Sequence, residues 1–177
     1  MIISLSTCIL RDFRFGDENS LQKNADNPAV WQNLRDSFPH PFSVNDAISW
    51  ISMNKAFQKP LNLAITFNDK VIGGIGIVQQ TDIYRLNAEI GYWLGEPFWN
   101  KGIMSEAVSA MVNYTFANFD IIRVYAGVFD HNLASMRVLE KAGFHKEAIH
   151  QKAIFKNGVL LDEHLFTIIK PGEVKTP

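Results

Sequence analysis

"AEIGYWLGEPFWNKGIMSEAV", Ala88 to Val108, passes from a strand pattern to a helix pattern through a segment that suits neither. Asn87–Gly95 reads as a strand ended by Gly95 and Pro97. From about Ile103 to Asn118 the chain reads as a helix, with Ile103, Ala107, Met111 and Tyr114 on one face. Gly102 stands where that helix begins, although glycine costs about 1 kcal/mol relative to alanine inside a helix. Two readings stand. Gly102 is a turn residue, or it opens bare backbone N–H groups to an anion. A helix N-terminus carries N–H groups without internal partners and about half a positive charge. A glycine there lets a phosphate oxygen approach closely, Lys101 adds a cation, and Ser105 offers a hydroxyl. No glycine lies at the Walker spacing before a Gly-Lys-Ser/Thr triplet, which argues against nucleotide hydrolysis by that route.

The next segment, "RVYAGVFDHNLASMRVLEKAGF" (Arg123–Phe144), reads as a buried strand followed by a helix that Asn132 caps. Gly143 takes the C′ position and Phe144 folds back on the last turn. Asn132 and Ser135 serve as a cap and an early-turn serine, or bond amides and a sulfur at the open edge of a sheet. The residues alone leave both open.

Outward from these segments, residues 2–13 read as a first strand. Asp17 is expected to cap a helix over 18–25, and Pro28 to start one through about Asp36. The two prolines of Ser37–Ser43 make a loop, and Ser43 with Asp46 opens a helix through about Phe57, with Val44, Ala47, Ile48 and Ile51 as its apolar stripe. "LNLAITF" and "KVIGGIGIVQQ" form a hairpin at Asn68-Asp69. Gly73, Gly74 and Gly76 lack the spacing of a dinucleotide fingerprint and favour bulges or close backbone approach. A last hairpin over roughly 145–155 and 158–169 turns at Asn157-Gly158. The order predicts an α+β or α/β domain around one mixed sheet, a single domain over 1–170 with a tail at 171–177.

A formal net charge of −1 gives no pull toward nucleic acid or an anionic membrane. Cys8 is the lone cysteine, which excludes an intramolecular disulfide and a thiolate metal cluster. The apolar start MIISLSTCIL lacks a basic segment ahead of it and alternates like a strand, so a soluble, cytoplasmic protein is expected. His145, His150 and His164 show no metal-ligand spacing, and no metal is expected. His40 reads as a loop-ordering residue or as part of a substrate mouth, and His131 as a turn residue, while Trp31, Trp50 and Phe57 read as helix-packing residues or substrate contacts.

The two quoted segments resemble the GNAT superfamily of N-acetyltransferases, and within it the Rim-type branch (RimJ/RimL-like) that acetylates ribosomal-protein N-termini. "LRDFRFGD", "PHPFSVNDAISWI" and "FKNGVLLDEHLF" extend the likeness over most of the chain. The resemblance implies a mixed, splayed, mostly antiparallel sheet flanked by helices, binding acetyl-CoA between the family's fourth and fifth strands. It implies that the pantetheine arm pairs with backbone around Tyr92, Trp93 and Leu94. The pyrophosphate would rest on Trp99, Asn100, Lys101, Gly102, Ile103, Met104 and Ser105, with Asn132 beside the pantetheine. The family loop reads Gln/Arg-x-x-Gly-x-Gly/Ala; Trp99 and Met104 depart from it and Gly102 keeps it.

A protonated amine cannot attack a thioester, and the departing thiolate needs a proton or stabilisation. Backbone N–H groups near Leu94 are placed to polarise the carbonyl. The tyrosine that many relatives carry seven residues after the asparagine is Leu139 here, and the resemblance makes Ser135 the candidate acid. Glu89, on the strand leading to the groove, is the candidate base, with a structural ion pair as its other reading. Some Rim-type relatives use a carboxylate in the last hairpin, where this chain has Ile154. The expected acceptor is a protein or peptide α-amine, such as a ribosomal-protein N-terminus, on a monomer or homodimer. A small amine (polyamine, aminoglycoside or amino-acid-like) and a non-catalytic acyl-CoA-binding module are the competing readings.

Overall fold

Asn68 and Asp69, both left-handed at φ 47° and 61°, close the hairpin between β3 (Asn62–Phe67) and β4 (Lys70–Gln79). That is the backbone which a tight two-residue hairpin turn requires. The computed structural model describes residues 1–55 and 59–172. The other elements are β1 (Ile2–Ser4), β2 (Ile9–Arg11), α1 (Glu18–Ala25), α2 (Pro28–Trp31), α3 (Val44–Asn54), β5 (Asn87–Leu94), α4 (Ile103–Asn118), β6 (Arg123–Phe129), α5 (Leu133–Lys141), β7 (His145–Lys156) and β8 (Val159–Ile169). Among the described residues the strands form one sheet in the order β1-β2-β3-β4-β5-β6-β8-β7. The β5–β6 pair is parallel; the β1–β2, β2–β3, β3–β4, β6–β8 and β7–β8 pairs are antiparallel. The mixed, mostly antiparallel sheet with helices is the fold class expected from the sequence.

The chain groups into two compact units, Met1–Gly76 with Tyr92–Ala107, and Ile77–Gly91 with Val108–Pro177. In the first, the single strand expected over 2–13 is two. Leu5 N–H donates to the Cys8 carbonyl at 2.9 Å, and β1 folds back antiparallel on β2. Asp17 does not cap α1. Its buried carboxylate takes two Arg11 guanidinium bonds of 2.7 Å and the Arg14 backbone N–H at 3.0 Å. A buried charged pair outcompetes an exposed cap because an uncompensated buried charge is so costly.

Helix α2 stops at Trp31 instead of reaching Asp36. Its start is as expected, with Asn27 accepting from Ala29 N–H at 2.8 Å, but the Trp31 indole donates to the Phe38 carbonyl at 3.2 Å, bringing the chain back over that turn. Ser43 and Asp46 form the expected capping box of α3. Only half of the expected stripe of α3 is inside: Ala47 and Ile51 are buried, while Val44 and Ile48 are 41 % exposed. The helix ends at Asn54 with Lys55 as its C-cap, short of the expected Phe57, which itself lies outside the described residues. The core joins Phe13, Leu21, Phe42, Ile51 and Val71, with Phe38, Trp50 and Trp93 packed against it.

The β4 glycines exist for close approach. A Cβ at Gly73 would lie 2.5 Å from the Trp93 carbonyl oxygen, one at Gly74 2.9 Å from the Trp93 indole nitrogen, and one at Gly76 1.9 Å from Asn62 Oδ1.

In the second unit, β6 alternates as a strand with one buried face, Val124, Ala126 and Val128 pointing inward. Helix α5 ends in a Schellman motif: Phe144 N–H donates to Leu139 at 3.0 Å, Gly143 N–H to Glu140 at 3.1 Å, and Gly143 has φ 90°. Asn157 and Gly158 close the last hairpin at φ 52° and 79°. Of the expected tail, 173–177 lie outside the described residues.

Candidate active site

In the first unit the strand end, turn and helix start form one continuous piece. Gly95 N–H donates to the Ile72 carbonyl at 2.8 Å, anchoring the end of β5 on β4. Gly95 leaves room for Asn24, whose Oδ1 would lie 2.6 Å from a Cβ there and whose amide donates to the Val71 carbonyl at 2.8 Å. A short 3-10 turn, Glu96–Phe98, follows with Pro97 near its start. The Trp99 indole then donates to the Leu94 carbonyl at 2.6 Å, bridging the two ends of the turn. Trp99, which departs from the family loop, therefore has a structural task of its own. Tyr92 and Trp93 are half-buried, and Trp93 packs edge-on against Phe38 with centroids 5.9 Å apart.

Asn100 and Gly102 are both left-handed, at φ 59° and 78°. A Cβ at Gly102 would meet nothing within 4 Å, so the glycine answers to the backbone conformation and leaves open space above it. The Glu106 N–H donates to the Gly102 carbonyl at 3.3 Å, opening the ladder of α4, so the amides of Gly102, Ile103 and Met104 stand ahead of it. Ile103 and Met104 bury their side chains. Both expected features of an anion cradle, a helix N-terminus and an unshielded backbone, are present, and a diphosphate fits that donor set. Lys101 turns back instead: its ammonium donates to the Pro97 carbonyl at 2.8 Å and lies 5.6 Å from the centre of the Phe98 ring. Glu106, the acid of the first turn of α4, accepts from Ser6 N–H at 3.1 Å and Ser6 Oγ at 2.8 Å.

In the second unit, β5 and β6 pair in parallel from Asn87↔Arg123 to Glu89↔Tyr125. β6 runs on to Phe129, paired throughout with β8. Glu89 thus stands level with Tyr125 and on the same face. Gly91 beyond it is exposed, with open space where a Cβ would be.

Asn132 caps α5, accepting from Ser135 N–H at 3.1 Å, and its own N–H donates to the Phe129 carbonyl at 2.9 Å. The cap reading of Asn132 is thus realised, and its side-chain amide N–H groups remain as donors. Ser135 is half-buried in the first turn. Leu139, at the position of the family tyrosine, is fully buried, which accounts for an apolar residue there.

His40 stacks on Trp31 with ring centroids 4.9 Å apart, as a loop-ordering residue does. Trp50 packs edge-on against Phe13 at 6.1 Å, and His131 lies in the turn before α5. Among the described residues, no group of three or more His, Cys, Asp or Glu is placed to hold a metal ion. Cys8 is buried, and that burial, reinforced by Glu106, raises its thiol to about 11.

Two relationships escaped the sequence reading. One is the Ser6–Glu106 tie. The other is the Glu163 carboxylate, which lies over Gly127 and bonds His150. An isolated glycine inside the strand pattern of β6 was the available signal for the second.

Residues 8–145 match the acetyltransferase (GNAT) domain family. The chain belongs to that family of acetyltransferases. It is 35 % identical over 136 residues to the uncharacterized N-acetyltransferase YoaA of Bacillus subtilis (strain 168), covering 74 % of this chain and 76 % of that protein. It is 43 % identical over 106 residues to the probable N-acetyltransferase YjcK of the same organism, a match spanning 60 % of this chain and 59 % of that relative. The fold matches the structure of RimL, a ribosomal L7/L12 α-N-protein acetyltransferase in complex with coenzyme A. The TM-score there is 0.82 at 25 % identity, covering 96 % of this chain and 98 % of that one.

Proposed function

We propose that the protein transfers the acetyl group of acetyl-CoA to a primary amine, in the first place the N-terminal α-amine of a protein or peptide. The observation that carries the reading is Gly102, left-handed with open space above it at the start of α4. Family membership, and the coenzyme A held by RimL, support acetyl-CoA as the donor. The donor supplies an activated thioester.

The chain's residues then do the rest. In the Trp99–Ser105 loop, the backbone amides of Gly102, Ile103 and Met104 hold the diphosphate. Backbone of Tyr92, Trp93 and Leu94 lines up the pantetheine arm, and Asn132 donates to it. Glu89 accepts the proton of the amine, directly or through water, and Ser135 gives a proton to the sulfur or orients it. The RimL likeness supports an α-amine acceptor. A single domain over 1–170, a cytoplasmic location and a monomeric or homodimeric state belong to the same proposal. Among the described residues no helix is long and apolar enough to cross a membrane.

The test is a CoA-release screen over N-terminal peptides, polyamines and aminoglycosides. Release with peptides supports the reading, and release with small amines alone moves the acceptor to that class. Tight acetyl-CoA binding with no release from any acceptor favours a non-catalytic binding module.

A further inference from the structure

The transfer reaction proposed above leaves one positioned anion unused. Glu163 on β8 is the register partner of Phe129 on β6 and of His150 on β7. Register partners share a face, and so do alternate residues of a strand. Glu163 therefore stands on the face of Phe129, Gly127 and Tyr125, and Tyr125 is the parallel partner of Glu89. The Glu163 side chain leans along β6. A Cβ at Gly127 would lie 2.2 Å from its Oε1. His150 Nδ1 holds the other oxygen, Oε2, at 2.9 Å. The carboxylate is thus fixed between an imidazole and the bare backbone of Gly127, with its side chain 26 % exposed. Oε1 has no hydrogen-bond partner among the described residues.

We infer that Glu163 is a specificity-determining residue: it receives a second cationic group carried by the acceptor beside the reacting amine. This rests on the transferase reading. Gly127 belongs to the stretch of β6 beyond its pairing with β5, which ends at Tyr125. Gly127 stands two residues along β6 from Tyr125, in the row of Glu89, which is about 7 Å at the usual rise. An acceptor whose amine is deprotonated at Glu89 thus brings its neighbouring group to Glu163. A half-shielded carboxylate oxygen recruits a cation through a charge-assisted bond. The ring of Phe129, on the same face, tolerates that cation. A lysine or arginine following the reacting N-terminus has this chemistry, as does the far amine of a small diamine.

The test compares kcat/KM for two matched acceptor pairs: a peptide with lysine or glutamine at its second position, and 1,4-diaminobutane or butylamine. Wild type should prefer the dicationic member of one pair by about fivefold or more, the pair identifying the source of the cation. Glu163→Gln should abolish the preference while leaving turnover of the neutral member and KM for acetyl-CoA unchanged. Gly127→Ala, which evicts the carboxylate without removing it, should erase the preference too. No preference in wild type overturns the inference, as does a preference that survives in Glu163→Gln. An equal loss for both members in Glu163→Gln also overturns it, since it makes Glu163 structural or basic. Absence of turnover with every acceptor would instead sink the transferase reading and this inference with it.

Discussion

The indole N–H of Trp99 donates to the carbonyl oxygen of Leu94 at 2.6 Å, across the short turn that links β5 to the start of α4. The bond ties the strand proposed to align the pantetheine arm to the loop proposed to hold the diphosphate. Trp99→Phe keeps an aromatic ring and removes the donor. Loss of one such bond should cost about 1 kcal/mol in urea unfolding. It should also weaken acetyl-CoA binding by roughly three- to tenfold, through a looser loop. Unchanged affinity would make the indole bond a matter of stability alone.

Ser135 is half-buried in the first turn of α5, its backbone N–H held by Asn132. Ser135→Ala keeps that backbone bond and deletes the hydroxyl. If the hydroxyl serves the leaving sulfur, kcat should fall about a hundredfold while Kd for acetyl-CoA shifts less than about twofold. Equal losses in steady-state kinetics and in calorimetric affinity would reduce Ser135 to a binding group.

Cys8 is buried beside Glu106, and both effects push its thiol from the ordinary 9.0 up to about 11. The folded pKa lies above the unfolded one, so folding favours the neutral thiol. The linked stability is fully present below pH 9 and declines as pH rises from 9 toward 11. A disulfide reagent at pH 8 should find no reactive thiol in the native protein and one thiol per chain after denaturation. Cys8→Ser should lessen the alkaline decline seen in urea melts between pH 8 and 10. Rapid native labelling would contradict this environment.

Local signals carried far along this chain. Asn68-Asp69 and Asn157-Gly158 set their hairpins because their backbones tolerate positive φ. Ser43-Asp46 set the start of α3, and Gly143-Phe144 the end of α5, because those bonds lie within a few residues. What was missed was decided by bonds and packing that a pattern of residue types does not show. Asp17 looked like a cap, and its side chain is instead bound to Arg11 at the end of β2. The strand over 2–13 broke because Leu5 and Cys8 close a turn. Val44 and Ile48 fit a helical stripe, but the core meets that helix along Ala47 and Ile51. The segment around Gly102 was legible as a choice between turn and anion site, and its left-handed φ with open space above it is compatible with both. Glu163 was illegible because its meaning depends on Gly127, a neighbour across the sheet.

The backbone at Gly102 is proposed to hold the diphosphate of acetyl-CoA. Calorimetric titration of acetyl-CoA into wild type and Gly102→Glu tests it most directly. The substitution places bulk and negative charge in the open space at φ 78°, with circular dichroism and thermal melting as the check that the fold persists. Measurable binding to wild type is expected, with a loss of at least about a hundredfold in the folded variant. Equal affinity of the two proteins would contradict it.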